Sequence, residues 1–243
     1  MKFLGIVLLA SVFVFGLDRS ASLNVPVGKG MLNSPVGIWW PAVKGKSPKA
    51  FSKAPVIVWF HGGMKSANCE KGLEAGKSIS ELIPEAIVIS ASACKENHWA
   101  TPQMVEVVDA ALDSLAQHIG HPVKDVSLVG VSDGFFGVMF YSLHGKRQDV
   151  KNRLMVSSYG PFLGTASEAA TAMKGKSGRW RFLQGGSDRL YPSGETLPWI
   201  QDFCRNVGSD CDLKYDPAGE HDWSYWEKRY PQWIRDAIFI KTP

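Results

Sequence analysis

From about residue 36 to the end of the chain, short apolar, β-branched runs alternate with stretches of helical spacing. No other feature narrows the possible folds as much. The runs are Val36–Trp40, Val56–Phe60, Ala86–Ser90, Val126–Val131, Leu154–Ser158, Trp180–Leu183 and Asp212–Tyr215. Between them, Leu73–Ile83, Pro102–Ile119, Phe135–Leu143, Leu197–Val207 and Trp223–Ile238 read as helices. Pro102–Ile119 is the clearest. Met104, Val107, Val108, Ala111, Leu112, Leu115 and Ile119 recur at three and four residues, Pro102 suits a first turn and Gly120 a stop. Strands alternating with helices pair in parallel and are covered on both faces, and runs apolar throughout, such as VIVWF and SLVGV, belong at the centre of such a sheet. The expected fold class is α/β, with a mostly parallel central sheet and helices on both faces.

The first 22 residues stand apart. Lys2 precedes 15 uncharged residues, Phe3 to Leu17, and small Ser20 and Ser22 follow. That is the pattern of a secretory signal peptide, and 15 residues fall short of the roughly 20 that span a bilayer. Residues 1–22 are therefore expected to be a removable signal, and 23–243 a single catalytic domain without repeats or linkers. Export implies a secreted or periplasmic protein in an oxidising compartment. The four cysteines allow three pairings. Cys204–Cys211, closing a local loop, and Cys69–Cys94, joining two loops, are the favoured pair. No CxxC occurs and the spacings suit no zinc site. The net charge of +4, from 27 basic against 23 acidic residues, comes with no basic run that would form a nucleic-acid face. There is no GxGxxG or P-loop, so no cofactor or metal is expected, and no stable membrane insertion after signal cleavage. The oligomeric state stays open.

Gly130-Val131-Ser132-Asp133-Gly134 fits G-x-S-x-G, and its context gives the pattern mechanical meaning: a buried-strand run precedes it and a helix candidate follows. A serine on a sharp strand-to-helix turn has its hydroxyl thrust clear of the sheet. Flanking glycines avoid collision with neighbouring backbone. A serine hydroxyl needs a base, and the base an orienting acid. The chain order Ser, acid, His places the acid at Asp188 in GGSDRLYP and the base at His221 in GEHDW, each in a loop past a predicted strand. A further strand, VIVWF, runs into His61-Gly62-Gly63-Met64.

Together GVSDG, GGSDRLYP and GEHDW resemble the α/β-hydrolase superfamily. The likeness is greatest to its compact secreted esterases: the polyhydroxybutyrate depolymerase, feruloyl esterase and acetylxylan esterase group, and dienelactone hydrolase-like carboxylesterases. The resemblance implies Ser132 as nucleophile, His221 as general base and then acid, and Asp188 as orienting carboxylate. It implies an oxyanion hole from the Asp133 amide and an amide of the His-Gly-Gly loop, Gly63 first and Met64 second. His61 is expected to hold that loop by hydrogen bonds. The acidic Asp133 departs from what an oxyanion favours, unless its side chain turns towards helix amides and solvent.

Only 29 residues run from Tyr159 to Ser187, and they must also hold a helix and a strand, so little or no lid is expected. An open site suits bulky or polymer-attached esters. Trp99, His98 and Trp223, with Trp199, fall in loops on the catalytic side, where they are candidates for substrate contact. The expected activity is a secreted serine esterase acting on carboxylic esters, including acyl or feruloyl groups on polysaccharide. The alternatives are a catalytically silent binding protein of the same fold and a serine peptidase.

Overall fold

The structure, a computed structural model, describes residues 18–27, 30–41, 51, 53–63, 67–95, 97–208 and 210–239. The apolar stretch of the expected signal, Phe3–Leu17, lies outside them. Among the described residues, eight strands form one sheet: β1 (Asp18–Val27), β2 (Gly30–Trp39), β3 (Val56–Phe60), β4 (Ile87–Ala91), β5 (Val126–Val131), β6 (Asn152–Val156), β7 (Arg179–Gly185) and β8 (Cys211–Asp216). Their order is β1-β2-β4-β3-β5-β6-β7-β8. The β1–β2 and β2–β4 pairs are antiparallel, and every other pair is parallel.

Period-two alternation feeds two cores. Val56, Val58 and Phe60 of β3 face one, Ile57 and Trp59 the other. The first is covered by α2 (Pro102–Ile119), α3 (Gly134–His144), α4 (Ala166–Met173) and α5 (Ser193–Asn206), through residues such as Leu112, Phe135, Met173 and Phe203. The second is covered by α1 (Lys71–Leu82), α6 (Trp223–Arg229) and α7 (Pro231–Ile238), through Ile79, Trp226 and Ile234. Helix α2 has the predicted ends: the Thr101 hydroxyl accepts from the Met104 amide, Pro102 opens the first turn, and Gly120 closes it at φ 80°.

Two elements differ from expectation. Strand β1 begins at Asp18, so its first five residues belong to the segment expected to be signal; Ser22 pairs with Pro35. The run expected as one helix over Trp223–Ile238 is two. Pro231 has no amide to donate and bars its predecessor from helical angles, and Tyr230 sits at φ −131°, ψ 42°. Between β6 and β7, a 3-10 helix (Gly160–Leu163) and α4 fill the connection, with no inserted lid. The cysteines form the favoured pairs, Cys69–Cys94 and Cys204–Cys211, with Cα separations of 5.0 and 5.2 Å.

The tightest contact in this architecture is Gly134, where an added Cβ would lie 1.9 Å from the Phe60 carbonyl oxygen. Backbone cannot swing aside as a side-chain tip can. Gly134→Ala is expected to lower unfolding free energy by roughly 3 kcal/mol, read as a lower urea midpoint with an unchanged slope. An unchanged midpoint would mean that α3 does not dock so closely on β3.

Candidate active site

Ser132 closes β5 with φ at +55°, in the left-handed region that an L-residue enters at a cost of about 1–2 kcal/mol. The turn is as sharp as it is because α3 must start at once and press back on the sheet. A Cβ on Gly130 would lie 2.3 Å from the Gly134 carbonyl oxygen, so the strand end and helix start nearly touch. The serine amide remains tied to the sheet, donating to the Val156 carbonyl at 2.9 Å. The strain is held by its surroundings, as at functional turns generally.

Asp188 and His221 reach Ser132 from the loops after β7 and β8. His221 Nδ1 lies 2.8 Å from Asp188 Oδ2, and Nε2 lies 2.9 Å from Ser132 Oγ. An ionised carboxylate only accepts, so Nδ1 carries the proton and Nε2 accepts from the serine hydroxyl. Each member is held by its own loop. Asp188 is buried, and its Oδ1 accepts the amides of Leu190 and Tyr191, both at 2.9 Å. The carbonyl of Glu220, just before the histidine, accepts the Trp226 indole N–H at 2.9 Å. Ser157, at φ +49°, donates to the same carbonyl.

The His-Gly-Gly loop lies against the serine. A Cβ on Gly62 would be 3.0 Å from the Ser132 Cβ, so glycine there lets backbone approach the serine side chain. Gly63 is left-handed at φ +64° and adjoins the Lys71 ammonium. Met64, the second oxyanion candidate, lies outside the described residues. His61 organises the loop: its Nε2 accepts the Ala93 amide at 3.0 Å, and Nδ1 donates to the Gly62 carbonyl at 2.8 Å. Burial lowers its pKa from 6.5 to about 4, and the nearby Lys71 cation pushes the same way. Cys94, bonded to Cys69, adjoins Ala93, so the disulfide anchors the backbone that His61 grips.

Two expectations, Trp99 and Trp199, are corrected here by burial. Trp99 is 1% exposed, packed edge-on to Phe60 and His61, and its indole donates to the His61 carbonyl at 2.9 Å. It braces the His-Gly-Gly loop from inside and is not available to substrate. Trp199 is likewise buried, stacked on Phe203. His98 is half-buried, with its carbonyl accepting the Thr101 hydroxyl. Trp223 is half-buried and edge-on to Trp59 at 4.8 Å. A row of rings that begins at His221 is not marked in the sequence. Tyr191 is edge-on to His221 at 4.9 Å, Tyr159 lies 5.2 Å from Tyr191, and Phe162 lies 4.6 Å from Tyr159. Phe162 is 67% exposed, and Leu190, two residues past Asp188, 68%. No local pattern marks these residues, because rings from two separate connections make the row. Among the described residues, no group of three or more His, Cys, Asp or Glu is placed to hold a metal.

Comparisons with solved structures give the fold. A ferulic acid esterase matches with a TM-score of 0.65 at 18% identity, over 91% of this chain and 98% of that one. A fluorophosphonate-binding serine hydrolase from Staphylococcus aureus matches with 0.63 at 16%, over 92% and 100%. A dipeptidyl aminopeptidase IV-like protein from Bacteroides ovatus matches with 0.69 at 13%, over 91% of this chain but 35% of that one. No protein-family profile matches the chain, and no curated protein matches it in sequence. The chain has the α/β-hydrolase fold.

The depressed His61 pKa has a consequence for stability. Above pH 6.5 the imidazole is neutral in both folded and unfolded chains, and it contributes nothing to the pH dependence. Between 6.5 and about 4 only the unfolded chain takes up the proton, so stability falls as the pH is lowered, by about 3 kcal/mol at the lower end. Urea midpoints from pH 7 to 4.5 should decline, and His61→Gln should decline less steeply over the same window. Equal slopes would mean that His61 is not held neutral.

Proposed function

We propose that the protein is a serine hydrolase that cleaves carboxylic esters through an acyl-enzyme. The observation that carries this reading is one imidazole bridging a serine hydroxyl at 2.9 Å and a buried carboxylate at 2.8 Å. Ser132 Oγ attacks the ester carbonyl as its proton passes to His221 Nε2, and the resulting imidazolium is stabilised by Asp188. The carbonyl oxygen becomes an oxyanion, met by the amides of Asp133 and the His-Gly-Gly loop; each such donor is worth roughly 3 kcal/mol of barrier. The C–O bond to the alcohol then breaks, and His221 returns the proton to the departing oxygen. Water, deprotonated by His221, attacks the acyl carbon, releases the carboxylic acid and restores Ser132.

The substrate we favour carries an apolar or aromatic group, such as a feruloyl ester on polysaccharide. Its support is the half-buried rings of Tyr191 and Tyr159 beside His221, continued by the exposed Phe162, with exposed Leu190 two residues past Asp188. The likeness to a ferulic acid esterase fits the same class. Export is proposed from the leader pattern, and two disulfides suit the oxidising compartment it would reach. The likeness to an aminopeptidase-type chain keeps a peptidase as the second reading.

Initial rates on p-nitrophenyl acetate, methyl ferulate and alanine p-nitroanilide separate these readings. Both esters should turn over and the anilide should not, and Ser132→Ala should reduce ester turnover by about 10⁴-fold or more. Phe162→Ala should lower kcat/KM for methyl ferulate severalfold and leave the acetate within twofold. Faster cleavage of the anilide than of either ester would overturn the esterase reading. Equal losses on ferulate and acetate would overturn the aromatic one.

A further inference from the structure

The acidic residue after the serine has a dedicated partner. Asp133 supplies a backbone amide to the proposed oxyanion hole, so its own carboxylate is tethered within a few ångströms of developing negative charge. The expected escape, towards the amides of α3, is not taken: Asp133 makes no side-chain cap to that helix. Its Oδ1 instead accepts the Tyr191 hydroxyl at 3.0 Å. Tyr191 is held in place from several sides. Its amide donates to Asp188 Oδ1 at 2.9 Å, its carbonyl accepts the Gln184 amide, and its ring rests against His221 and Tyr159. The loop that presents the acid of the triad thus also presents the phenol.

We propose that Tyr191 is a positioning residue whose hydroxyl latches the Asp133 carboxylate away from the oxyanion hole. The proposal rests on the reading of Ser132 as nucleophile. A carboxylate released from the phenol can rotate towards its own amide and the His-Gly-Gly loop. There it occupies the donors intended for the substrate oxygen and repels the oxyanion as it forms. Such interference acts on the transition state and hardly on the neutral bound ester, so it lowers kcat and spares KM. The phenol keeps the proton it needs. Burial raises its pKa to about 12; a hydrogen bond with Ser132 works the other way, and the Asp133 charge reinforces the rise.

Tyr191→Phe keeps the ring against His221 and Tyr159 and removes only the hydroxyl. Steady-state kinetics on p-nitrophenyl acetate would compare the native protein, Y191F, D133N and the double variant, with thermal melts for each. Y191F should lower kcat about tenfold with KM within twofold. Against the D133N baseline, adding Y191F should lower kcat less than twofold, since no carboxylate remains to be held. An Asp133→Ser background, which removes the charge by a smaller side chain, should give the same result. An unchanged kcat in Y191F, or the same loss with and without the carboxylate, overturns the latch. Ser132→Ala in the same series separates the two levels. If it retains turnover, the nucleophile assignment fails; if it is inactive while Y191F is indifferent, only the latch fails.

Discussion

The left-handed turn at Ser132 is the constraint around which the rest of the molecule is arranged. A strand that ends in this turn and starts a helix at once must bring α3 against the sheet with almost no clearance. Hence Gly130 and Gly134 stand where a Cβ would strike backbone. Ser132 itself bears the conformational cost, because the proposed chemistry needs a hydroxyl there and glycine has none. That cost is offset by the two-sided core beneath: parallel strands buried on both faces hold β5 rigidly between β3 and β6.

The remaining parts of the site are loops at the same edge of the sheet, and each is fixed by groups outside the triad. Backbone amides pin Asp188, the Trp226 indole pins the residue before His221, and a neutral His61 with Trp99 behind it pins the His-Gly-Gly loop. Buried aromatic side chains with one polar atom suit such bracing, since the ring packs while the N–H takes a carbonyl that would otherwise go unpaired.

Much of this was legible in the sequence, for a physical reason. Central parallel strands are apolar on both faces, so VIVWF and SLVGV declare themselves, and the G-x-S-x-G turn has local steric requirements that residue spacing records. Asp188 and His221 follow from chain order once the fold is supposed. What spacing does not carry is side-chain direction in loops. Trp99 sits in a loop beside the site and was expected to face substrate, but its indole turns inward to the His61 carbonyl. Tyr191 pairs with a residue 58 positions earlier, a separation that no local pattern encodes. Strand β1 is equally hidden: it is an edge strand of mixed polar residues, paired on one side only.

The most direct test of the account is covalent. A fluorophosphonate reacts with a serine only when a neighbouring base removes its proton and donors receive the phosphoryl oxygen, so it interrogates turn, imidazole and loop at once. Intact-mass measurement followed by peptide mapping should give one adduct per chain, on Ser132, with labelling slowed by orders of magnitude in His221→Ala. A folded protein that takes up no label, or takes it on another residue, would contradict the account.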